Sequence, residues 1–313
     1  MISTARRLPP ITPDSPFLLC SGRIAPKSRV KAVWRVVIKK LSLVILLGLL
    51  EFTMSDRTMT SAKEPNVEAA VCGSFREPIM FWLWRNMAGS PNPGHVANIK
   101  RVRRIQFETH DGIELRGYKR AAENPRAYLL VAQGNAMLAD HLVSDLQPFR
   151  DRGWDVYIYD YRGYGMSQGK SRRAAIVDDY VEIVAHLNTL GYAKRLLYGT
   201  SMGGVILRNA AGNTNLYTRM VVDSSPARIS NLGCPERCDP VAHLPNDGER
   251  VMIISGGQDH VVPPGQMDEL IRVARLRGSR IHQDPELAHP YQDSSTAIHR
   301  RRQHEVATFL YQE

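Results

Sequence analysis

From about residue 102 onward, short unbroken apolar runs alternate with longer stretches in which hydrophobic residues recur every three or four positions. The first pattern predicts buried strands and the second amphipathic helices. The runs are Ala127 to Gln133, Trp154 to Asp160, Arg195 to Thr200, Arg219 to Ser224, Val251 to Gly256 and Ser279 to Asp284. Helices are expected near Leu138 to Asp151, Arg172 to Leu190, Met202 to Ala211, Pro264 to Leu276 and Ser294 to Tyr311. Uninterrupted apolar strands separated by helices imply an α/β fold whose mostly parallel central sheet is covered on both faces. Ahead of them, Val102 to Thr109 and Ile113 to Tyr118 alternate apolar with polar and meet at His110-Asp111-Gly112, which predicts an antiparallel N-terminal hairpin at one edge.

Upstream the pattern changes. Val71 to Met87 predicts a helix with four aromatics, Phe75, Phe81, Trp82 and Trp84, which we expect to pack on the domain, with a membrane interface or a cleft cover as the other roles for such a cluster. Ser90-Pro91-Asn92-Pro93-Gly94 ends that helix, and the polar, aperiodic residues 53–68 are a linker. The organisation is therefore a leader with a short hydrophobic segment (41–50) and linker over 1–64, an N-terminal helix and connecting loop over 65–100, and an α/β domain over 101–313.

The chain's 41 Lys and Arg exceed its 31 Asp and Glu, but nine of the basic residues and one acid, Asp14, lie in residues 1–40, leaving 32 against 30 for the rest. A nucleic-acid binder carries its positive charge on the folded domain, so no nucleic-acid partner is expected. The basic stretch runs into Leu41 to Leu50, LSLVILLGLL, the order of a secretory signal or membrane anchor, although ten residues are short for a span. We expect an exported or inner-membrane-anchored protein with the domain outside the cytoplasm and membrane association through this segment; a start at Met54 would make it cytoplasmic. Of the four cysteines, Cys234 and Cys238 are close enough in sequence to pair in an oxidising compartment, and Cys20 and Cys72 are expected to be bystanders.

Chemistry in a doubly wound sheet gathers where strands end and helices begin. Gly199-Thr200-Ser201-Met202-Gly203 falls at such a junction, where glycines permit a tight turn that thrusts out the serine, which makes Ser201 the candidate nucleophile. A serine hydroxyl needs a base to take its proton and an acid to orient that base. His289 sits between the last strand and the last helix, whereas His299 and His304 lie within that helix, His282 within a strand and His260 beside the candidate acid, Asp259. Asp259 leaves the penultimate strand; its rival, Asp223, ends the preceding one and is expected instead to cap or bond nearby backbone amides. Two backbone N–H groups are candidates for the oxyanion hole, those of Met202 and of Asn135 in Gln133-Gly134-Asn135-Ala136. Asp160-Tyr161-Arg162-Gly163-Tyr164-Gly165 lacks the lysine ending of a phosphate loop and is read as a structural turn, with Asp160 and Arg162 bracing loops.

Together Gly134 to Ala136, Asp160 to Gly169, Gly199 to Gly204, Gly256 to Pro264 and His289 resemble, in order, the motifs of bacterial α/β-hydrolases of the serine-aminopeptidase-like type, near the group that includes depalmitoylating thioesterases. The resemblance covers residues 102–313 and implies cofactor-free, metal-free hydrolysis of esters, thioesters or amides, with a small-molecule or lipid-like acyl substrate. Two departures stand out. Gln133 takes the place of the family's usual histidine, which puts the rigidity of the oxyanion loop in question, and only about 25 residues separate Ser224 from Val251, where many relatives insert a helical cap.

Overall fold

A computed structural model describes residues 72–312. The basic leader, the apolar run 41–50 and the linker 53–68 lie outside the described residues. Eight strands form one sheet in the order β1-β2-β4-β3-β5-β6-β7-β8. They are β1 (Val102–Glu108), β2 (Glu114–Arg120), β3 (Ala127–Ala132), β4 (Trp154–Tyr159), β5 (Lys194–Thr200), β6 (Arg219–Asp223), β7 (Val251–Gly256) and β8 (Arg280–Asp284). β2 runs antiparallel to both β1 and β4, and β3 to β8 are mutually parallel, as the hairpin and the apolar runs require.

Among the described residues seven α-helices accompany the sheet: α1 (Arg76–Ala88), α2 (Ala139–Leu142), α3 (Gln147–Arg150), α4 (Arg173–Asn188), α5 (Met202–Ala211), α6 (Asp268–Leu276) and α7 (Thr296–Tyr311). Because strand side chains alternate, each central strand feeds two cores. Tyr128, Leu130 and Ala132 of β3 point into the core shared with Ile183 of α4, Ile206 of α5 and Leu270 of α6. Leu129 and Val131 point into the other, shared with Leu142 of α2, Phe149 of α3 and Val306 and Phe309 of α7. Between β6 and β7 the chain makes only short 3-10 turns at Ser230–Leu232, Glu236–Cys238 and Pro240–His243, so this segment carries no helical cap.

Three expectations are corrected. The single helix expected over 138–151 is two, α2 and α3; Pro148 has no N–H to continue the ladder from α2 but fits the first turn of α3. Cys234 pairs not with Cys238 but with Cys72, the supposed bystander, 162 positions away. The Cys72 amide donates to the Leu232 carbonyl (3.3 Å), which sets the start of the described chain alongside the Cys234 turn, while Cys238 remains a buried thiol packed with Val205 and Ile229. Finally, the aromatic cluster of α1 divides. Phe81 is buried and Trp84 meets it edge to face at 5.2 Å, but Phe75, Ile79 and Trp82 are exposed.

Candidate active site

Ser201 sits between β5 and α5 with φ 52° and ψ −118°, a backbone conformation that costs a non-glycine residue of order 1 to 3 kcal/mol and persists only where its surroundings force it. Here the forcing is steric. A Cβ on Gly203 would lie 1.9 Å from the Ala132 carbonyl oxygen, and one on Gly199 would lie 2.6 Å from the Gly203 carbonyl oxygen. The first turn of α5 is thus pressed against the ends of β3 and β5, and the serine is what the turn ejects. The Ser201 amide donates to the Asp223 carbonyl (2.8 Å), tying the turn to β6. Met202 opens α5, so its N–H is among the first-turn amides without an intrahelical carbonyl, at the positive end of the helix.

The loop after β3 lies against this turn: a Cβ on Gly134 would stand 3.5 Å from the Ser201 Cβ. Asn135 Oδ1 accepts from the Ala136 amide and from the Tyr164 hydroxyl, both at 3.0 Å, and Ala136 has φ 55°. Gln133 is fully buried; its Nε2 donates to the Tyr159 carbonyl (2.8 Å), and its own carbonyl accepts the Tyr161 hydroxyl (2.6 Å). The glutamine therefore fastens the base of this loop to β4.

Asp160 and Arg162 brace as expected. Asp160 Oδ1 accepts the Ala139 amide (2.8 Å) that begins α2, and Oδ2 the Met166 amide (3.4 Å). Burial pushes its carboxyl up to about 6, opposed in part by those two amides. Arg162 reaches Asp179 (Nε to Oδ2, 2.7 Å) and Asp111 (Nη1 to Oδ2, 2.9 Å).

On the other side, His289 Nδ1 lies 2.9 Å from Asp259 Oδ2 and 3.1 Å from Oδ1, with both residues buried. Asp259 Oδ1 also accepts the Val261 and Val262 amides at 2.9 and 2.8 Å. Burial works to raise the Asp259 carboxyl, but the His289 hydrogen bond and charge, the Val262 amide and the Ser224 hydroxyl outweigh it and hold it below the ordinary range. With Asp259 on Nδ1, the imidazole keeps its proton there and leaves Nε2 as the free base. The structure thus joins Asp259 to His289 and sets Gly134, the residue before Asn135, against Ser201, which Met202 follows directly in the chain. It shows no hydrogen bond from the Ser201 hydroxyl to His289 among the described residues. Of the six non-glycine residues with positive φ among the described residues, Ala136, Ser201, Ser224 and Tyr291 fall in the four loops that follow β3, β5, β6 and β8.

Asp223 does not cap amides. Its carboxylate pairs with the buried Arg302 (Nη1 to Oδ1, 2.6 Å) and accepts the Tyr198 hydroxyl (3.0 Å). Arg302 also holds Asp293 (Nη2 to Oδ1, 3.0 Å) and the Ala288 carbonyl, while Asp293 accepts the Ala288 amide (3.0 Å). This network, which sequence reasoning missed, clamps the residue preceding His289 to α7. Its signal was an arginine on the same helical face as Val306, Phe309 and Leu310.

A mostly parallel eight-stranded sheet with an antiparallel edge and helices on both faces defines the α/β-hydrolase fold, and the comparisons with known proteins agree on that fold. Residues 123–244 match the family model described as serine aminopeptidase, S33. The chain is similar to the uncharacterized protein YfhR of Escherichia coli K12, 27% identical over 200 residues that cover 55% of this chain and 68% of that one. It is also similar to the uncharacterized membrane protein YNL320W of Saccharomyces cerevisiae, 26% identical over 243 residues, 70% of this chain and 84% of that one. Among solved structures, the Pyrococcus furiosus esterase Pf2001 superposes with a TM-score of 0.57 at 15% identity, covering 71% of this chain and 95% of that one, a likeness of fold.

Proposed function

We propose that the protein is a serine hydrolase that cleaves carboxylic esters or thioesters through an acyl-enzyme on Ser201. The observation that carries this reading is the buried Asp259–His289 pair at 2.9 Å set among the same loops as a serine held at φ 52°. His289 Nε2 takes the Ser201 proton as the hydroxyl oxygen attacks the acyl carbon, and Asp259 stabilises the imidazolium. The carbonyl oxygen, now negative, is received by the Asn135 and Met202 amides, each such donor being worth about 3 to 4 kcal/mol. His289 returns the proton to the leaving alcohol or thiol, and a water deprotonated by the same nitrogen then releases the acid. The absence of a cap between β6 and β7 favours acyl groups presented at a surface over small buried ones. No step calls on a metal or organic cofactor.

The test is hydrolysis by the full chain of a p-nitrophenyl ester series from acetate to palmitate, with acyl-thioesters and an aminoacyl-anilide alongside, for wild type and Ser201→Ala. Turnover of esters or thioesters that Ser201→Ala loses supports the reading, and the chain-length optimum identifies the acyl group. Preference for the anilide would make the enzyme a peptidase with the same residues; inertness of the folded wild type toward every substrate would make it a hydrolase-like binding protein.

The exposed stripe of α1 bears on where it works. Phe75, Ile79 and Trp82 recur at helical spacing, with Trp82 bordering Arg85, Lys170 and Arg172. Apolar residues flanked by cations suit an anionic bilayer surface. The helix follows the basic and apolar leader in sequence, and the Cys72–Cys234 disulfide fits an oxidising compartment outside the cytoplasm. No helix among the described residues is long and apolar enough to cross a membrane. We therefore place the enzyme at a membrane surface beyond the cytoplasm, with lipid-like acyl substrates. Sedimentation with phosphatidylglycerol vesicles should be weakened by Phe75→Glu with Trp82→Glu; binding unchanged by that pair would remove α1 from the account.

A further inference from the structure

A second cluster of chemically active side chains lies outside the loops that hold Ser201 and His289. His95, from the 3-10 turn Pro93–His95, and the adjacent pair Asp140 and His141 of α2 each offer a donor atom, and the three atoms lie within 4.8 Å of one another. His95 Nδ1 is 2.8 Å from Asp140 Oδ2, His141 Nε2 is 4.0 Å from Asp140 Oδ1, and the two imidazole rings are 5.1 Å apart between centroids.

An ordinary ion pair between His95 and Asp140 accounts for only half of this arrangement. Asp140 is 2% exposed, and Oδ2 is well satisfied by His95 and by the Asn92 amide (2.9 Å). Oδ1 is equally buried and has no hydrogen-bond partner among the described residues. A buried carboxylate oxygen left without a donor costs free energy unless something positive supplies one. His141 Nε2, 4.0 Å from it, stands too far away to donate to it.

We propose that His95, Asp140 and His141 form a binding site for a divalent transition-metal ion of the zinc class, with Asp140 Oδ1 and one nitrogen from each imidazole as ligands. Two imidazoles and one carboxylate favour zinc, nickel or cobalt over calcium or magnesium, which prefer oxygen alone. Ligand atoms around a tetrahedral zinc ion sit about 3.4 Å apart, given bonds near 2.0 to 2.1 Å. The present spacing of up to 4.8 Å must therefore contract. The contraction falls to the side chains best able to move, those of His95 and His141, which are 43% and 33% exposed. The three ligands leave a coordination position for water. α2 continues directly from the loop that carries Asn135, and its first amide is fixed by Asp160. An ion here would lock the turn at residues 93–95 to the base of that loop.

The full chain, stripped with a chelator, is titrated with Co2+ followed by its visible d–d absorption, and with Zn2+ in competition against a chromophoric chelator. One equivalent should bind, with a melting temperature that rises on addition of Zn2+. His95→Ala, His141→Ala and Asp140→Asn should each weaken binding at least ten-fold and abolish the rise. Replacement of buried Asp140 can disturb α2, so the partly exposed His95→Ala, checked by circular dichroism without metal, decides the matter. No saturable binding, or wild-type affinity in folded His95→Ala, overturns the site, the second result assigning the metal to other histidines of the chain.

Discussion

The turn that holds Ser201 and the loop that holds His289 solve the same problem by different physics. The first is built by exclusion. Gly199 and Gly203 let backbone approach backbone at distances no side chain would allow, and the resulting turn keeps Ser201 in a conformation it would not choose. Nothing there depends on charge. The second is built by charge. Arg302, itself 1% exposed, bridges Asp223, Asp293 and the Ala288 carbonyl, and Asp259 fixes the His289 imidazole. Burial works against the Arg302 charge, but Asp223 and Asp293 outweigh it and raise the guanidinium pKa above its usual range. A strained backbone resists small movements but tolerates no added atom, whereas an ion network tolerates isosteric change but not the loss of one partner.

The comparison can be broken at several points. The largest effect is expected from Asp259→Asn, which keeps the size of the side chain but disrupts the pairing with His289 Nδ1; kcat should fall about 10^4-fold with little change in melting temperature. Steady-state ester kinetics check it, and a loss below ten-fold would mean that Asp259 does not orient His289. Gly203→Ala should cost about 4 kcal/mol or more in urea unfolding, or prevent folding, because the added carbon meets the Ala132 carbonyl at 1.9 Å. A near-neutral result would show that the turn is not sterically forced.

Arg302→Met removes charge but little volume. It should cost about 3 to 5 kcal/mol by leaving Asp223 and Asp293 buried without their cation. It should also lower ester turnover, since Ala288 is released beside His289, and Arg302→Lys should not restore either property. The smallest effect tests a third loop. Asp160 has a folded pKa of about 6, above its value in the unfolded chain, so the native state binds the extra proton between about pH 4 and 6 and stability falls as pH rises through that window. The loss is on the order of 3 kcal/mol, and Asp160→Asn should flatten it in unfolding curves taken between pH 4.5 and 7.

The same contrast explains how much was legible beforehand. The sheet, its antiparallel edge and the Ser201 turn could be read in the sequence because local pattern dictates them: apolar runs make buried strands, and glycines mark close backbone approach. The pairing of Asp259 with His289 followed from position in the strand order. What escaped depends on partners far apart in the chain. Arg302 and Asp223 are 79 positions apart and Cys72 and Cys234 are 162, and nothing in the local pattern of either member names the other. The division of α1 escaped for a related reason: spacing shows that Phe75, Ile79 and Trp82 share a face, but not that the core takes Phe81 instead.

The central claim is that Ser201 is a nucleophile activated by His289. Its most direct test is labelling of the full chain with a fluorophosphonate probe, the modified peptide being located by mass spectrometry. The account predicts one label per chain on Ser201, absent from Ser201→Ala and strongly slowed in His289→Ala; a folded wild type that stays unlabelled, or that carries the label on another residue, would contradict it.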